Sequence, residues 1–210
     1  MAKHTYKMKK ILLTTLITLL CSCSSQEIKT PDITTPQAPT FTKEEVMKKI
    51  EEYATPGNEH QALSPLVGKW KVESKFWMEA GKEPIYDKGY ANNYWVLDGR
   101  YIKEDYEGNW DGKPYKGYGF LGYDKVKKEY TSTWIDNFST AIMTSKGSFC
   151  TKSNKLTMKT ISSCPVSGHS LEGKNITRII DNDNHILEMH NPGPDGKLMK
   201  TGELKYTRIK

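Results

Sequence analysis

No hydrophobic run in this chain is long enough to cross a bilayer as a helix. The most apolar stretch, residues 11–20 (ILLTTLITLL), is ten residues long, against the roughly 20 that a spanning helix needs. Residues that announce familiar chemistry are also scarce. There are four cysteines and five histidines, and neither C-x-x-C nor H-E-x-x-H occurs among them. His185 and His190 are an odd number of residues apart, so a strand would place them on opposite faces. No metal site and no cofactor is expected on this basis. Gly-x-Ser-x-Gly is missing too, and with it the usual context of a serine nucleophile. Excess charge is the last absence. The formal net charge is +6, but four of the 31 basic residues, Lys3, Lys7, Lys9 and Lys10, stand in residues 1–22 without an acid beside them. The other 27 face 25 acids, so the rest of the chain is close to balanced and no nucleic-acid partner is expected.

What stands at the start of the chain is organised. Lys7, Lys9 and Lys10 precede the apolar run at 11–20, the order of a secretory signal. Next comes Leu20-Cys21-Ser22-Cys23, which resembles the lipoprotein box of bacteria; an ordinary secretory signal with incidental cysteines is the alternative. The resemblance implies a signal peptide over 1–22 and lipid (palmitate among its chains) on Cys23, the mature N-terminus. Cys21 fits less well because Leu20 precedes it. Ser24 resembles the residue that permits sorting to the outer membrane in Gram-negative cells. The implied location is the bacterial cell envelope, with the membrane as a partner through the anchor.

Residues 23–42 carry Pro31, Pro36 and Pro39, many threonines and few apolar side chains. Such a composition buries too little surface to offset ordering entropy, so this segment reads as a tether. A helix is predicted in 43–59. Thr42 and Glu45 have the spacing of a capping box, and Val46, Ile50 and Tyr53 recur at helical spacing before Thr55-Pro56-Gly57 ends the pattern. Its apolar stripe is expected to pack on the domain that follows or to cover one end of it.

Residues 60–210 form that domain. In 66–76 the even positions hold Leu66, Trp70, Val72 and Phe76, and the odd ones Lys69, Lys71, Glu73 and Lys75. This is a strand with one face in a core and one in water. Further strand-like runs follow at about 87–97, 99–109, 115–124, 129–136, 139–150, 155–163, 172–181, 185–191 and 198–208. Turn residues separate them, Asp98-Gly99 most clearly. The fold class is therefore all-β. About ten antiparallel strands in up-and-down order close most simply into a barrel, which leaves no free edges. Gly117, Gly119 and Gly122 satisfy G-x-G-x-x-G, but a strand-like run follows them instead of the helix that would receive a pyrophosphate. Glycines inside such a strand mark bends or close approach.

Several motifs occur in order across this region: His60…Leu63…Leu66…Gly68-x-Trp70, Gly99-Arg100, Gly117…Gly122-Tyr123-Asp124, Trp134-x-Asp136 and Tyr206-x-Arg208. Together they resemble the bacterial family catalogued as domain of unknown function 1579. Gly-x-Trp on the first strand with an arginine on the last is also similar to the lipocalin and fatty-acid-binding (calycin) barrels. That likeness implies that Arg208 packs on Trp70 and closes one end, a structural role.

Ten strands enclose more volume than side chains readily fill, so an interior cavity is expected. Arg100, Tyr123, Trp134, Asp136, Arg178 and Glu188 are the candidates to line it. Surface placement or internal ion pairing is the alternative, because several strands leave the inward face ambiguous. Cys150 and Cys164 are candidates for a disulfide in an oxidising compartment. A turn near Ser153-Asn154 would place Cys150 opposite residue 156 instead, so a bridge requires the second strand to bend back. Three functions follow in order of preference. The first is a binding module for a small, at least partly apolar ligand. The second is a structural or interaction scaffold in the envelope. The third is an enzyme in which two of Asp136, Glu188 and His190 converge; no catalytic residue is assigned.

Overall fold

Ten strands follow one another with little between them: β1 (Gly68–Phe76), β2 (Ile85–Val96), β3 (Tyr101–Trp110), β4 (Lys113–Asp124), β5 (Glu129–Asp136), β6 (Met143–Cys150), β7 (Lys155–Ser163), β8 (Ser170–Ile179), β9 (Asn184–Pro192) and β10 (Leu198–Arg208). The computed structural model describes residues 40–210. The expectations for the signal segment, for Cys23 and for the tether up to residue 39 lie outside the described residues. Each strand pairs antiparallel with the next, and β1 pairs with β10, so the sheet closes into the expected up-and-down barrel. Closure leaves no unpaired strand edge along the wall.

Alternation sets which side chains turn inward. On β1 Trp70, Val72 and Ser74 are buried between exposed Lys71, Glu73 and Lys75. On β3 the inward set is Ile102, Glu104 and Tyr106; on β9 it begins with His185 and continues through Leu187 and Met189. Two apolar clusters result. Trp70, Val72, Ala91, Tyr106, Leu204 and Tyr206 line the wall where first and last strands meet. Leu63, Leu66, Ile102, Tyr130, Leu156 and Met158 fill the end at which β1 begins.

That end is closed by the segment just before β1. Helix α1 spans Lys43–Ala54 and α2 spans Asn58–Gln61, followed by a 3-10 turn, Ser64–Leu66. Leu63 is fully buried and Leu66 nearly so. The Tyr130 hydroxyl donates to the Glu59 carbonyl at 2.9 Å, and the Gly57 N–H donates to His60 Nδ1 at 3.1 Å. Burial, first of all, lowers the pKa of His60 and keeps its ring neutral. Capping of α1 is as anticipated: the Thr42 N–H donates to Glu45 Oε2 at 2.8 Å, and the Glu45 N–H to Thr42 Oγ1 at 3.2 Å.

The apolar stripe of α1 does not pack as expected. No residue of α1 is buried, and Val46, Met47, Ile50 and Tyr53 are 39–55% exposed. The end it would cover is already filled by Leu63 and Leu66. The helix is held at its C-terminus instead, where the Lys125 ammonium donates to the carbonyls of Glu52 (2.5 Å) and Thr55 (3.1 Å). Phe41–Lys210 forms one compact unit. With its own closed sheet and core, it meets the condition for folding without the segment before it.

Candidate functional site: the barrel interior

The strands enclose a cavity of about 350 Å³. Leu66, Ile102 and Met158 form its floor, above the plug. Its mouth lies at the opposite end, where Trp110 at the end of β3 meets Phe138 of the β5–β6 connection with ring centroids 5.5 Å apart. Most of the wall between is apolar, contributed by residues such as Leu187, Met189 and Leu204. Its size lies at the lower end of small-molecule sites, whose usual lining is likewise apolar with a few placed polar groups.

Glu104 is the principal polar group. It points inward from β3, and its remaining accessible surface faces the cavity. Its Oε1 accepts a hydrogen bond from the Tyr206 hydroxyl at 3.1 Å. Burial pushes the Glu104 pKa up to about 7; the Tyr206 hydrogen bond pulls the other way, and the Asp105 charge adds to the rise. Burial likewise raises Tyr206 well above the ordinary phenol range. His185 lies against both walls, stacked on Tyr206 (centroids 4.1 Å) and edge-on to Trp70 (4.4 Å). Burial, helped by the Arg208 charge, takes its pKa down to about 3, so it stays neutral.

Nearer the mouth, the Trp134 indole N–H donates to the Tyr115 hydroxyl (2.9 Å), which donates to Asp136 Oδ2 (3.1 Å). The glycine pattern of β4 serves this indole. A Cβ on Gly117 or Gly119 would stand 2.2 or 2.9 Å from Trp134 ring atoms, so only glycine leaves room for the ring to lie against the wall. Strand β5 follows after a turn at 125–128, and no helix N-terminus meets the pattern.

The sequence candidates divide accordingly. Trp134 lines the cavity, and Asp136 lies one hydrogen bond behind Tyr115, which also lines it. Arg100 does not line it: it sits in the β2–β3 turn, bonded to the Leu97 carbonyl at 2.9 Å and to Asp98. Tyr123 packs on Tyr130 (4.9 Å) and His60 (5.9 Å) in the closed end. Arg178 and Glu188 form a 3.3 Å ion pair on the outer wall. On β8 the inward residues are Asn175 and Thr177, and on β9 they are His185, Leu187 and Met189, which turns Arg178, Glu188 and His190 outward. Asp136, Glu188 and His190 therefore share no cleft. Among the described residues, no group of three or more His, Cys, Asp or Glu is placed to hold a metal.

Cys150 and Cys164 are free thiols at opposite ends of the barrel. Cys150 pairs with Lys155 across the β6–β7 turn, and Cys164 follows the far end of β7. Nine residues of strand separate the two ends, roughly 30 Å at strand rise, whereas a disulfide needs Cα atoms within about 7 Å.

Trp70 and Arg208 are brought together. They are register partners on β1 and β10, with the guanidinium carbon 4.1 Å from the indole centroid. Arg208 also donates to the carbonyls of Val67 (2.7 Å), Pro65 (3.0 Å) and Asn182 (2.6 Å). Gly68 has φ +143°, and a Cβ there would lie 2.1 Å from Arg208 Nη1. The Gly-x-Trp pattern thus makes room for the arginine that ties the plug to the last strand.

Sequence reasoning missed Glu104, Asn93, Tyr115, His185 and Tyr206. A signal for the first two was present. Alternation outward from the Asp98-Gly99 hairpin places Ile102, Glu104 and Tyr106 on one face and sets Asn93 opposite Glu104, as observed.

No curated protein matches the chain. Among solved structures, the crystal structure of Rv2717c from M. tuberculosis superposes with a TM-score of 0.55 at 15% identity, covering 74% of this chain and 100% of that one. This likeness shows the fold alone. A redesigned beta barrel gives a TM-score of 0.37 at 13% identity, over 71% of this chain and 96% of its own. Residues 55–208 match the family described as Protein of unknown function (DUF1579), and the chain belongs to that family.

Proposed function

We propose that the barrel is a binding module for a small, partly apolar ligand, held in the bacterial envelope by lipid on Cys23. The observation that carries this reading is the interior cavity of about 350 Å³, apolar over most of its wall, with a few polar groups turned into it. Sequence likeness to the lipocalin and fatty-acid-binding barrels adds to it. The test is native mass spectrometry of residues 24–210 after incubation with a small-molecule extract of bacterial envelopes. A discrete mass excess is expected, released by organic solvent and lost in Ser132→Phe, which projects a ring from the wall into the cavity. No excess, or one that this obstructing substitution leaves unchanged, would refute the reading. The anchor has its own test: Cys23→Ala, made in a Cys21→Ala background, should move the full chain out of the detergent phase, and unchanged partitioning would remove it.

A further inference from the structure

The chemical bias of the cavity follows from its hydrogen-bond inventory. Asn93 on β2 and Glu104 on β3 are register partners, both turned inward and both lining the cavity. Side chains opposite one another on adjacent antiparallel strands have Cβ atoms about 4.5–5.5 Å apart. The Asn93 amide nitrogen donates to the Leu66 carbonyl at 3.1 Å. That carbonyl only accepts, which fixes the orientation of the amide and leaves Oδ1 on the other side. Asn93 Oδ1 is buried without a donor. On Glu104, Oε1 receives the Tyr206 hydroxyl. Oε2 receives no donor among the described residues.

The phenol and indole donors that flank these two residues are already engaged. Tyr206 gives its proton to Glu104, Trp134 to Tyr115, and Tyr115 to Asp136. Among the described residues no Lys or Arg lines the space, and His185, the imidazole that does, is neutral. An amide oxygen and, beside it, a carboxyl group therefore face an apolar chamber lined by no cationic side chain among the described residues. An unpaired buried acceptor such as Asn93 Oδ1 is costly, and a ligand that supplies a donor recovers that free energy.

We propose that the ligand is a cationic amine with a hydrocarbon body: its N–H groups are received by Asn93 Oδ1 and the Glu104 carboxylate, and its apolar part lies against the wall toward Leu187 and Leu204. This rests on the ligand-binding reading above and specifies its ligand class. A bound ammonium would favour the ionised form of Glu104 and bring its pKa back down.

Three probes with one hydrocarbon body and different heads test it: n-octylamine, n-octanol and n-octanoate. Each is titrated below its aggregation concentration into residues 24–210, followed by tryptophan fluorescence and by calorimetry. The amine should bind at least about tenfold more tightly than the alcohol, as charge-assisted hydrogen bonds require, and octanoate least. Glu104→Gln should cost the amine about that factor and leave octanol within about twofold. If octanol or octanoate matches the amine, or Glu104→Gln leaves the amine unaffected, the amine inference fails. The ligand-binding reading survives that result provided Ser132→Phe still abolishes binding. If none of the three binds, both readings fall. The ranking of probes on the unaltered sequence needs no variant to fold.

Discussion

Glu104→Gln also tests the electrostatics of the interior without any ligand. The carboxyl titrates at about 7 in the fold against 4.5 as its ordinary value. The folded chain therefore holds a proton that the unfolded chain has already released. Its stabilising contribution is complete below pH 4.5, falls by about 1.4 kcal/mol per pH unit through the window up to about 7, and is constant above it. A window from 4.5 to about 7 amounts to about 3 kcal/mol. Gln keeps the shape and still accepts the Tyr206 hydroxyl, but never ionises. The stability of the variant relative to the parent should thus rise by about 3 kcal/mol between pH 4.5 and pH 8. His185 works in the opposite sense. Held neutral down to about 3, it contributes stability that is present above its unfolded value near 6.5 and lost as the pH falls toward 3. The two trends oppose each other between 4.5 and 6.5, so the difference between variant and parent is the quantity to read. Urea unfolding followed by tryptophan fluorescence at several pH values supplies it. Parallel stability curves for the two proteins would refute the assignment of Glu104 as a desolvated acid without a countercharge.

Other substitutions probe the closure of the barrel and the packing of its mouth. Arg208→Met removes the cation over Trp70 and leaves the carbonyls of Pro65, Val67 and Asn182 without their donor; a loss of about 3 kcal/mol or more in denaturant unfolding is expected. A loss below about 1 kcal/mol would mean that those carbonyls find other partners. Gly68→Ala drives a methyl group into the same guanidinium at a left-handed φ, so it should destabilise by about 2 kcal/mol or more; a stability equal to that of the parent would contradict the geometry. Gly119→Ala should displace the Trp134 indole and shift tryptophan emission, whereas an unchanged spectrum would place the ring elsewhere. Thiol titration of denatured residues 24–210 should count two thiols with or without reductant, and a count that rises on reduction would reveal a bridge.

Strand number and order were legible because the signals agree. Alternation in 66–76 and the Asp98-Gly99 hairpin are local, and closed antiparallel order follows from many short strands without intervening helices. The direction of each face was harder to read for a physical reason. A cavity-bearing interior carries polar residues inward, and the outer wall of this barrel carries apolar ones. Ile176 and Ile186 face outward beside Arg178 and Glu188, while Asn175 and Thr177 face inward. Hydrophobicity alone therefore inverts β8 and blurs β9. Glu104 was hidden differently: it stands in Lys103-Glu104-Asp105, a run that reads as solvated surface. Only its neighbours meet that description, since Lys103 and Asp105 pair with one another on the outer wall at 2.6 Å. The helical stripe at 43–54 reads as a buried face by the same periodicity that makes the helix, and nothing local reports that Leu63 and Leu66 already occupy the barrel end.

The pairing of β1 with β10 has a consequence for the order of events in a cell. Arg208 reaches the Val67 carbonyl across 141 residues, and Tyr206 and Arg208 both belong to β10. A ribosome-bound chain lacking residues 198–208 has two unpaired edges, on β1 and on β9, and no guanidinium beside Trp70. Contacts so distant in sequence require the full loop-closure entropy before any of them forms. The ring therefore closes only once β10 is available. With this topology the wall stays open, whatever else has folded, until that strand is in place.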